Sequence, residues 1–370
     1  MLTTLDDTLW HQLPTTFDHV GTSDPRFYDR FWFACYERGG DAALQITMGA
    51  YRNMNVMDIG VVVTHAGRQH NVRASRSLGR EIRMACGPLT VTPVVPLQEF
   101  ELTLAEGVHG VSARIHWEGI APAAEERHHF ERSRGRVVED YARFDQIGRA
   151  DGWVEIAGKR LALDNWWACR DHSWGVRPRT GIREPVTGPV ADLSKEGFMF
   201  ALLFFSTDDL VGHVQFSRRG EQAPYYSGDL RRASDGSVRL ATRVELHADL
   251  HPGTRRFKQC RLTVQLDDGG EVTLDCTAIG SSIAMQGLGY SGGFNDHKGL
   301  GVWRGEQYLE HDVYDVSHPA DIVYPDGRSN PHFHRIQPVS VVNREGQTTA
   351  DGTGSLTLMM SGRLPQYGLE

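Results

Sequence analysis

The segment Val238–Leu250 reads VRLATRVELHADL and decides the fold class. Apolar or small side chains occupy every second position, and the positions between them are mainly charged. Because successive side chains of a strand point to opposite faces, this period of two predicts a long β-strand with one solvated face.

The same alternation continues on both sides of that strand. Apolar residues alternate over 262–266, the residues Asp-Asp-Gly-Gly follow at 267–270, and alternation resumes over 272–276. A glycine-containing turn between two alternating runs predicts a β-hairpin. Comparable runs occur at 44–48, 57–63, 100–104, 111–117 and 356–360.

Helical periodicity is weak throughout, and we expect only short helices near 6–13 and 26–31. Many strands at short spacing with few helices favour antiparallel sheets, and closing such sheets into barrels removes their unpaired edges. The predicted fold class is therefore all-β, with two tandem antiparallel β-barrels or half-barrels and few short helices.

The length of 370 residues suits two domains better than a single core. The segment from Pro178 to Pro189 contains three prolines and several glycines and threonines, which is typical of a connection. We therefore predict one β domain over 1–187 and another over 188–370.

Composition excludes several classes of protein. The net charge of −8 and the lack of basic segments interleaved with aromatics argue against a nucleic-acid partner. We expect a chain that does not span a membrane, because no apolar run reaches the roughly 18 residues a helix would need. Five scattered cysteines and no visible signal peptide predict reduced thiols and a cytoplasmic protein. The sequence leaves the oligomeric state open.

Motifs for nucleotides and metals are weak or missing. The sequence has no glycine-rich dinucleotide loop, Walker loop, nucleophile elbow or His-Glu-x-x-His helix. His332 and His334 have the spacing of a metal pair, and His128-His129 and His311-Asp312 add possible ligands. No third ligand has a fixed spacing, so we predict neither a metal nor another cofactor.

Residues 164–175, DNWWACRDHSWG, are the densest group of chemically active side chains. In a strand, Arg170, His172 and Trp174 share one face, whereas Asp171 and Ser173 face the other way. An aspartate beside a histidine can fix its tautomer, and tryptophan walls keep a pocket dry, which suits a proton donor. The alternative interpretation is a buried polar cluster at a domain interface, with Arg170 paired to a carboxylate.

A second polar interruption spans 51–58, YRNMNVMD. On a strand, Asn53 and Asn55 lie on one face with Tyr51, and Arg52 and Asp58 lie on the other. The two amides could orient a substrate carbonyl or hydroxyl. A bulge or a hydrogen-bond cluster at a barrel rim is the competing interpretation.

A third group lies at 303–315, where Glu306, Tyr308 and Glu310 alternate with other residues. A carboxylate beside Tyr308 could act as general acid or base if burial raised its pKa. The glycine-rich run at 287–293 that precedes it is consistent with a flexible mouth or with a plain loop.

The run DHSWG at 171–175, together with YRNMNVMD at 51–58, resembles the tandem lipocalin-like (calycin) superfamily of carotenoid 1,2-hydratases and AttH-like proteins. Some polyketide pericyclases share that architecture. The resemblance implies two lipocalin-like barrels and an apolar pocket for a terpenoid, carotenoid or polyketide. The His-x-Trp element of the superfamily matches His172 and Trp174. In the hydratases an acidic residue on the following strand protonates the alkene, but here 197–205 reads GFMFALLFF and has no carboxylate.

Our leading hypothesis is a cofactor-independent enzyme that moves a proton on a small apolar substrate, in a hydration or dehydration, an isomerisation or a cyclisation. The expected catalytic residues are His172, oriented by Asp171 or another carboxylate, and Glu310 or Asp58 as the acid. The expected substrate-binding residues are Trp174, Trp167, Tyr51, Asn53, Asn55 and Tyr308.

The alternative function is a carrier that binds a lipid or pigment without changing it. A cavity shared by His172 and a carboxylate would favour the enzyme. A wholly aliphatic wall would favour the carrier.

Overall fold

A computed structural model describes residues 2–9, 11–80, 83–107, 109–133, 135–178, 180, 188, 196–290, 294, 296, 298–318, 322–327, 329–330 and 334–369. The predicted all-β class is confirmed, with one closed eight-stranded barrel and one curled half-barrel sheet. Within these residues, helix is limited to short 3-10 turns at Thr4–Asp7, Arg52–Met54, Met285–Leu288 and Pro365–Tyr367. None of the helices in the described parts of the chain is long and apolar enough to cross a bilayer.

The first sheet has fifteen strands, and strands are numbered in chain order over the whole molecule. Its hydrogen-bonded order is β22-β21-β20-β4-β3-β2-β1-β12-β11-β8-β7-β6-β5, and β9 and β10 pair with β11. The strands are β1 (Phe27–Tyr36), β2 (Ala42–Tyr51), β3 (Val56–His65), β4 (Arg68–Ser77), β5 (Ala85–Cys86), β6 (Leu89–Val95), β7 (Glu99–Leu104), β8 (Val111–Gly119), β9 (Ala124–Glu125), β10 (His129–Ser133), β11 (Arg136–Ile156), β12 (Lys159–Val176), β20 (Tyr308–Asp315), β21 (Ile322–Val323) and β22 (Ser329–Asn330).

The second sheet closes on itself, because β18 pairs with β17 on one side and with β23 on the other. Closure leaves the barrel without a free edge. Its strands are β13 (Phe198–Thr207), β14 (Leu210–Arg219), β15 (Tyr225–Arg232), β16 (Val238–Leu250), β17 (Phe257–Leu266), β18 (Glu271–Ala278), β23 (Arg335–Glu345) and β24 (Thr348–Ser361), and the short β19 (Ile283–Ala284) adds to β23.

Each sheet encloses a hydrophobic core, and a further core lies between the two sheets. In this intervening core, Trp32 and Trp167 of the first sheet are buried together with Leu202 and Phe204 of β13. These side chains lie on the face of β1 and β12 that points toward the barrel, and the opposite face lines the concave side of the first sheet.

The second half of the chain also contributes to the first sheet. Strand β20 pairs antiparallel with β4, so residues 308–315 extend the sheet that is built mainly from the first half. The boundary between 187 and 188 stays a prediction, because 181–187 and 189–195 lie outside the described residues.

Two local predictions are wrong. No helix forms over 26–31, because residue 26 lies in a turn and 27–31 are the start of β1, consistent with the β-favouring aromatic residues of FYDRFWFACY. In β16, a register shift between Ala241 and Arg243 inverts the first part of the strand. Leu240 is therefore 51% exposed, whereas Arg239 is turned inward and pairs with Glu345 at 2.6 Å. An extra residue on one strand moves every preceding side chain to the other face.

Candidate functional site

The candidate site is a cavity of about 210 Å³ on the concave side of the first sheet. Its floor follows from the strand register: Phe31 of β1 lies between His172 of β12 and Met48 of β2. In the next row, Asp29 lies between Trp174 and Ala50. The lining comprises Asp29, Phe31, Met48, Ala50, Arg52, Met57, Leu78, Gly79, Met84 and His172.

His172 is the imidazole of this cavity, and its carboxylate partner is Asp29. His172 Nε2 lies 2.7 Å from Asp29 Oδ1, and the two residues are diagonal neighbours across β1 and β12. A carboxylate that accepts from Nε2 leaves Nδ1 to act as base when the ring is neutral and as acid when it is protonated. The arrangement can therefore exchange one proton at a defined atom.

Aromatic rings hold the imidazole in place. Its ring centroid is 4.2 Å from that of Phe31, 5.3 Å from Trp174 and 5.4 Å from Phe144. Trp174 itself lines a separate, wider groove of about 600 Å³. His172 thus lies at the boundary between an apolar cavity and an open groove.

The predicted partner Asp171 is not beside the imidazole. It lies on the opposite face of β12, where Asp145 of β11 and Trp32 of β1 are its register partners. Burial raises the pKa of Asp171, and Arg143 and Arg177 oppose that rise. The strand period of two separates two residues that are adjacent in sequence, and this separation corrects the prediction.

Arg170 lies on the His172 face, and among the described residues it pairs with no carboxylate, unlike the expectation of the structural interpretation. Its Nε and Nη2 donate to Gln146 Oε1 at 2.9 and 2.7 Å, and its guanidinium lies 4.6 Å from the centroid of the Phe100 ring. Burial lowers the pKa of Arg170 to about 10. The Phe100 ring and Gln146 Oε1 therefore interact with the Arg170 guanidinium in place of the expected carboxylate.

Asp58 is fully buried and does not line the cavity, although the adjacent Met57 does. Its Oδ1 accepts from Arg30 Nη1 at 2.8 Å and from the hydroxyl of Tyr51 at 3.2 Å, and its Oδ2 accepts from the backbone N–H of Gly301 at 2.7 Å. These three donors hold the carboxyl group between the first sheet and the segment around 301. This placement does not fit Asp58 as a proton donor to a ligand of the His172 cavity.

The segment 51–58 is not one continuous strand. A 3-10 turn at Arg52–Met54 separates β2 from β3, so Tyr51 and Asp58 meet on the same side. Asn53 Nδ2 donates to the carbonyl oxygens of Thr22 and Asp24, both at 2.8 Å. Asn55 has a left-handed backbone with φ of 52° and accepts from the Gly79 N–H at 3.0 Å. Both amides therefore fix the local chain and are not in the cavity lining.

Tyr308 and Glu310 also lie away from the cavity. The Tyr308 hydroxyl donates to Glu310 Oε2 at 2.5 Å, and Glu310 forms an ion pair with the buried Arg73. Arg73 pairs with Asp312 at 2.8 Å as well, so both carboxylates anchor β20 to β4.

Trp167 belongs to the core between the sheets. Its ring stacks on Tyr36 with centroids 5.6 Å apart, and its Nε1–H donates to Ser206 Oγ at 3.0 Å.

The glycine-rich run differs from a flexible mouth where the structure describes it, because 285–289 is buried. This segment packs closely on β3: a Cβ atom added to Gly60 would lie only 2.6 Å from Leu288 Cα. Residues 291–293, 332 and 333 lie outside the described parts, including one histidine of the His332/His334 pair.

Two polar lining residues, Asp29 and Arg52, were not predicted. Asp29 carries a signal in retrospect, because it is a lone carboxylate in an aromatic strand and shares the face of Phe31. Arg52 lies in the 3-10 turn that interrupts 51–58, and no alternation pattern predicts where such a turn directs a side chain.

Two solved structures align with this chain at low sequence identity. The crystal structure of CghA gives a TM-score of 0.49 at 11% identity, and the match covers 91% of this chain and 89% of that chain. The crystal structure of Pseudomonas aeruginosa OccK3 (OpdO) gives a TM-score of 0.13 at 9% identity, over 92% of this chain and 96% of that chain. The sequence matches none of the curated proteins. A family model described as a family of unknown function (DUF8625) matches residues 2–369, and the chain therefore belongs to that family.

Proposed function

We propose that this protein is a cofactor-independent enzyme that moves a proton on an apolar substrate bound in the His172 cavity. The observation that carries the proposal is the shared cavity: the imidazole of His172 and the carboxylate of Asp29 open into the same space as Phe31, Met48 and Met57. A cavity with few polar groups among apolar ones is the usual form of a small-molecule site.

The proposed chemistry follows from the orientation of the imidazole. Protonated His172 donates from Nδ1 to a double bond or leaving hydroxyl, and Asp29 stabilises the imidazolium through Nε2. In a hydration, the resulting cation takes up water, and the neutral Nδ1 accepts the proton that the water releases. The ring of Phe31, which lines the same cavity, would stabilise a developing positive charge.

Cavity size limits the substrate. A cavity of about 150 Å³ holds one benzene ring, so the space of about 210 Å³ here admits one or two rings or a short prenyl unit. A longer terpenoid or polyketide would place only its reacting end inside. Hydration or dehydration and isomerisation suit such an end-on arrangement better than the folding of a long chain.

A carrier function is the second candidate, because six of the ten lining residues are apolar side chains. The two functions predict the same binding and different chemistry. A carrier would bind the ligand equally well without the imidazole.

Solvent deuterium incorporation distinguishes the two functions. The protein is incubated in D₂O with a panel of C5 to C15 prenyl alkenes and alcohols, and products are analysed by mass spectrometry. The enzyme adds deuterium or D₂O to at least one substrate, and His172→Ala abolishes the exchange. If the same compounds bind with equal affinity to both proteins and neither incorporates deuterium, the carrier function replaces the enzyme.

A further inference from the structure

A second group of titratable side chains lies between the two sheets, away from the His172 cavity. Glu126, Asp145 and His213 are all buried, and one ligand atom from each lies within 4.8 Å of the other two. Glu126 follows β9, Asp145 lies on β11, and His213 comes from β14 of the barrel. The three residues thus join the first sheet to the second.

The polar atoms of this group have few partners in the protein. Among the described residues, no N–H or hydroxyl group donates to either carboxylate oxygen of Asp145 or to Oε1 of Glu126, and Nε2 of His213 is buried without a partner. The carboxyl groups of Glu126 and Asp145 contact each other at hydrogen-bond distance. His213 Nδ1 is 3.7 Å from Asp145 Oδ2, which is too far for a hydrogen bond. Asp145 and His213 are each only 2% exposed. Buried polar groups that lack partners in this number call for a shared proton, an ordered water or a bound ion.

The surroundings hold one of the carboxylates in place. Glu126 Oε2 accepts from Arg143 Nη2 at 2.7 Å and lies 2.7 Å from His129 Nε2. Arg143 also donates to Gln215 Oε1 at 3.1 Å. Oε2 is occupied in this way, whereas Oε1 of the same carboxylate has no such donor. Hydrogen bonds to the second oxygen of a carboxylate ligand are typical of metal sites.

Charge and space favour a cation. Asp171 is the register partner of Asp145, so three carboxylates gather around Arg143, which lies 3.9 Å from Asp145 Oδ1. A cavity of about 10 Å³ lies beside Asp145 and His213, which is room for one water molecule or one ion.

We propose that Glu126, Asp145 and His213 bind one divalent transition-metal ion of the zinc type, which links the half-barrel sheet to the barrel. Two carboxylate oxygens and one imidazole nitrogen are ligands that Zn²⁺ accepts. Ligand atoms around a tetrahedral zinc lie about 3.4 Å apart, so small rotations of the two carboxylates close the site. The site is buried and has no room for a substrate, so the ion has a structural role that is independent of the proposed chemistry at His172.

Metal analysis of the full chain tests this proposal. The protein is stripped with a chelator, dialysed against Zn²⁺ alone and then passed through a desalting column. We expect about one Zn²⁺ per chain and a rise in Tm of about 5 °C, because a ligand that binds only the folded state stabilises it. Asp145→Asn and His213→Gln should each lose the bound ion and the Tm rise.

His116→Gln is the matched control, because His116 is paired with Glu101 at 3.1 Å on the solvated side of the first sheet. This variant should keep one Zn²⁺ per chain.

Substitution with Co²⁺ provides a readout that does not depend on stability. We expect absorption bands of a low-coordinate Co²⁺ site in the wild type and in His116→Gln, and no such bands in His213→Gln. The proposal is overturned if the wild type retains no ion, or if His213→Gln binds Zn²⁺ and Co²⁺ as the wild type does. A crystal structure in which Asp145 and Glu126 share a proton in the presence of Zn²⁺ would also overturn it.

Discussion

His172 Nε2 lies 2.7 Å from Asp29 Oδ1, although 143 positions separate the two residues in the sequence. The pairing of β1 with β12 brings them together on the concave face of the first sheet, where both line the apolar cavity. Asp171, the sequence neighbour of His172, is turned to the other side of the same strand. The carboxylate that orients the imidazole is therefore set by strand register.

Replacing His172 by alanine tests the catalytic assignment. The side chain is 23% exposed and its partner Asp29 is 54% exposed, so the pair contributes at most about 1 kcal/mol to stability. We expect His172→Ala to abolish deuterium incorporation into prenyl substrates while Tm changes by a few degrees at most. A large fall in Tm with unchanged incorporation would contradict the assignment and make His172 a structural residue.

Asp29→Asn should weaken catalysis without removing the cavity. The amide can still accept from Nε2, but it cannot stabilise the imidazolium as a carboxylate does. We expect the rate of deuterium incorporation to fall by about 100-fold or more, with binding of the neutral two-ring fluorescent probe 1-naphthylamine unchanged. Asp171→Asn is the matched variant, and it should leave the rate close to that of the wild type. Equal losses in the two variants would argue against Asp29 as the orienting carboxylate.

Ala50→Leu tests whether the cavity is the binding site. Ala50 lies between Asp29 and Met57 in one row of the sheet, so a larger side chain there fills the cavity without touching the ion pair of Arg30 and Asp58. We expect the affinity for the two-ring probe 1-naphthylamine to fall at least about tenfold, which corresponds to about 1.4 kcal/mol. The exposed Ala105→Leu variant serves as the control and should bind the probe normally. Unchanged binding in Ala50→Leu would show that the probe binds at another surface, such as the groove beside Trp174.

The sequence allowed the fold class to be predicted, because period-two alternation records which side chains face a core. The same periodicity correctly placed His172 and Trp174 on one face and Asp171 on the other, since both statements concern a single strand. Alternation fails where the chain departs from regular strand geometry. The register shift in β16 and the 3-10 turn at Arg52–Met54 each reassigned side chains that a strict period of two had placed elsewhere.

The composition of the site could not be predicted for a different reason. Asp29 meets His172, and Glu126 meets His213, only through the pairing of distant strands and the packing of one sheet on the other. Residue types within one segment do not specify these partners. Local composition predicted site residues in the dense segments 164–175 and 303–315. In the structure, however, Trp167 and Glu310 mainly connect elements of the fold.

Removing the carboxylate of Asp58 should destabilise the protein strongly. Arg30 is 2% exposed and would remain buried without its anion, and the single oxygen of an asparagine could not accept from both Arg30 and the Gly301 N–H. Breaking a buried ion pair by removing one partner costs about 3–5 kcal/mol. We expect Asp58→Asn to lower the free energy of unfolding in urea by about that amount, whereas Glu118→Gln, at the exposed pair with Arg149, should change it by less than about 1 kcal/mol. Near-normal stability of Asp58→Asn together with a specific loss of catalysis would instead support Asp58 as the catalytic acid.

Asp171 should make the free energy of unfolding depend on pH, because its surroundings shift the pKa of its carboxyl group. Burial raises its pKa in the folded state above the ordinary value of 3.8. Below that value the carboxyl group is protonated in both states and its contribution to stability is fully present. As pH rises, the unfolded chain releases the proton first, so the contribution is lost progressively until the pKa of the folded state is passed. Asp171→Asn should therefore match the wild type in urea unfolding at about pH 3 and exceed its stability at pH 7. A variant that is less stable than the wild type at pH 7 would show that Arg143 and Arg177 hold Asp171 as an anion, and that their attraction outweighs the effect of burial.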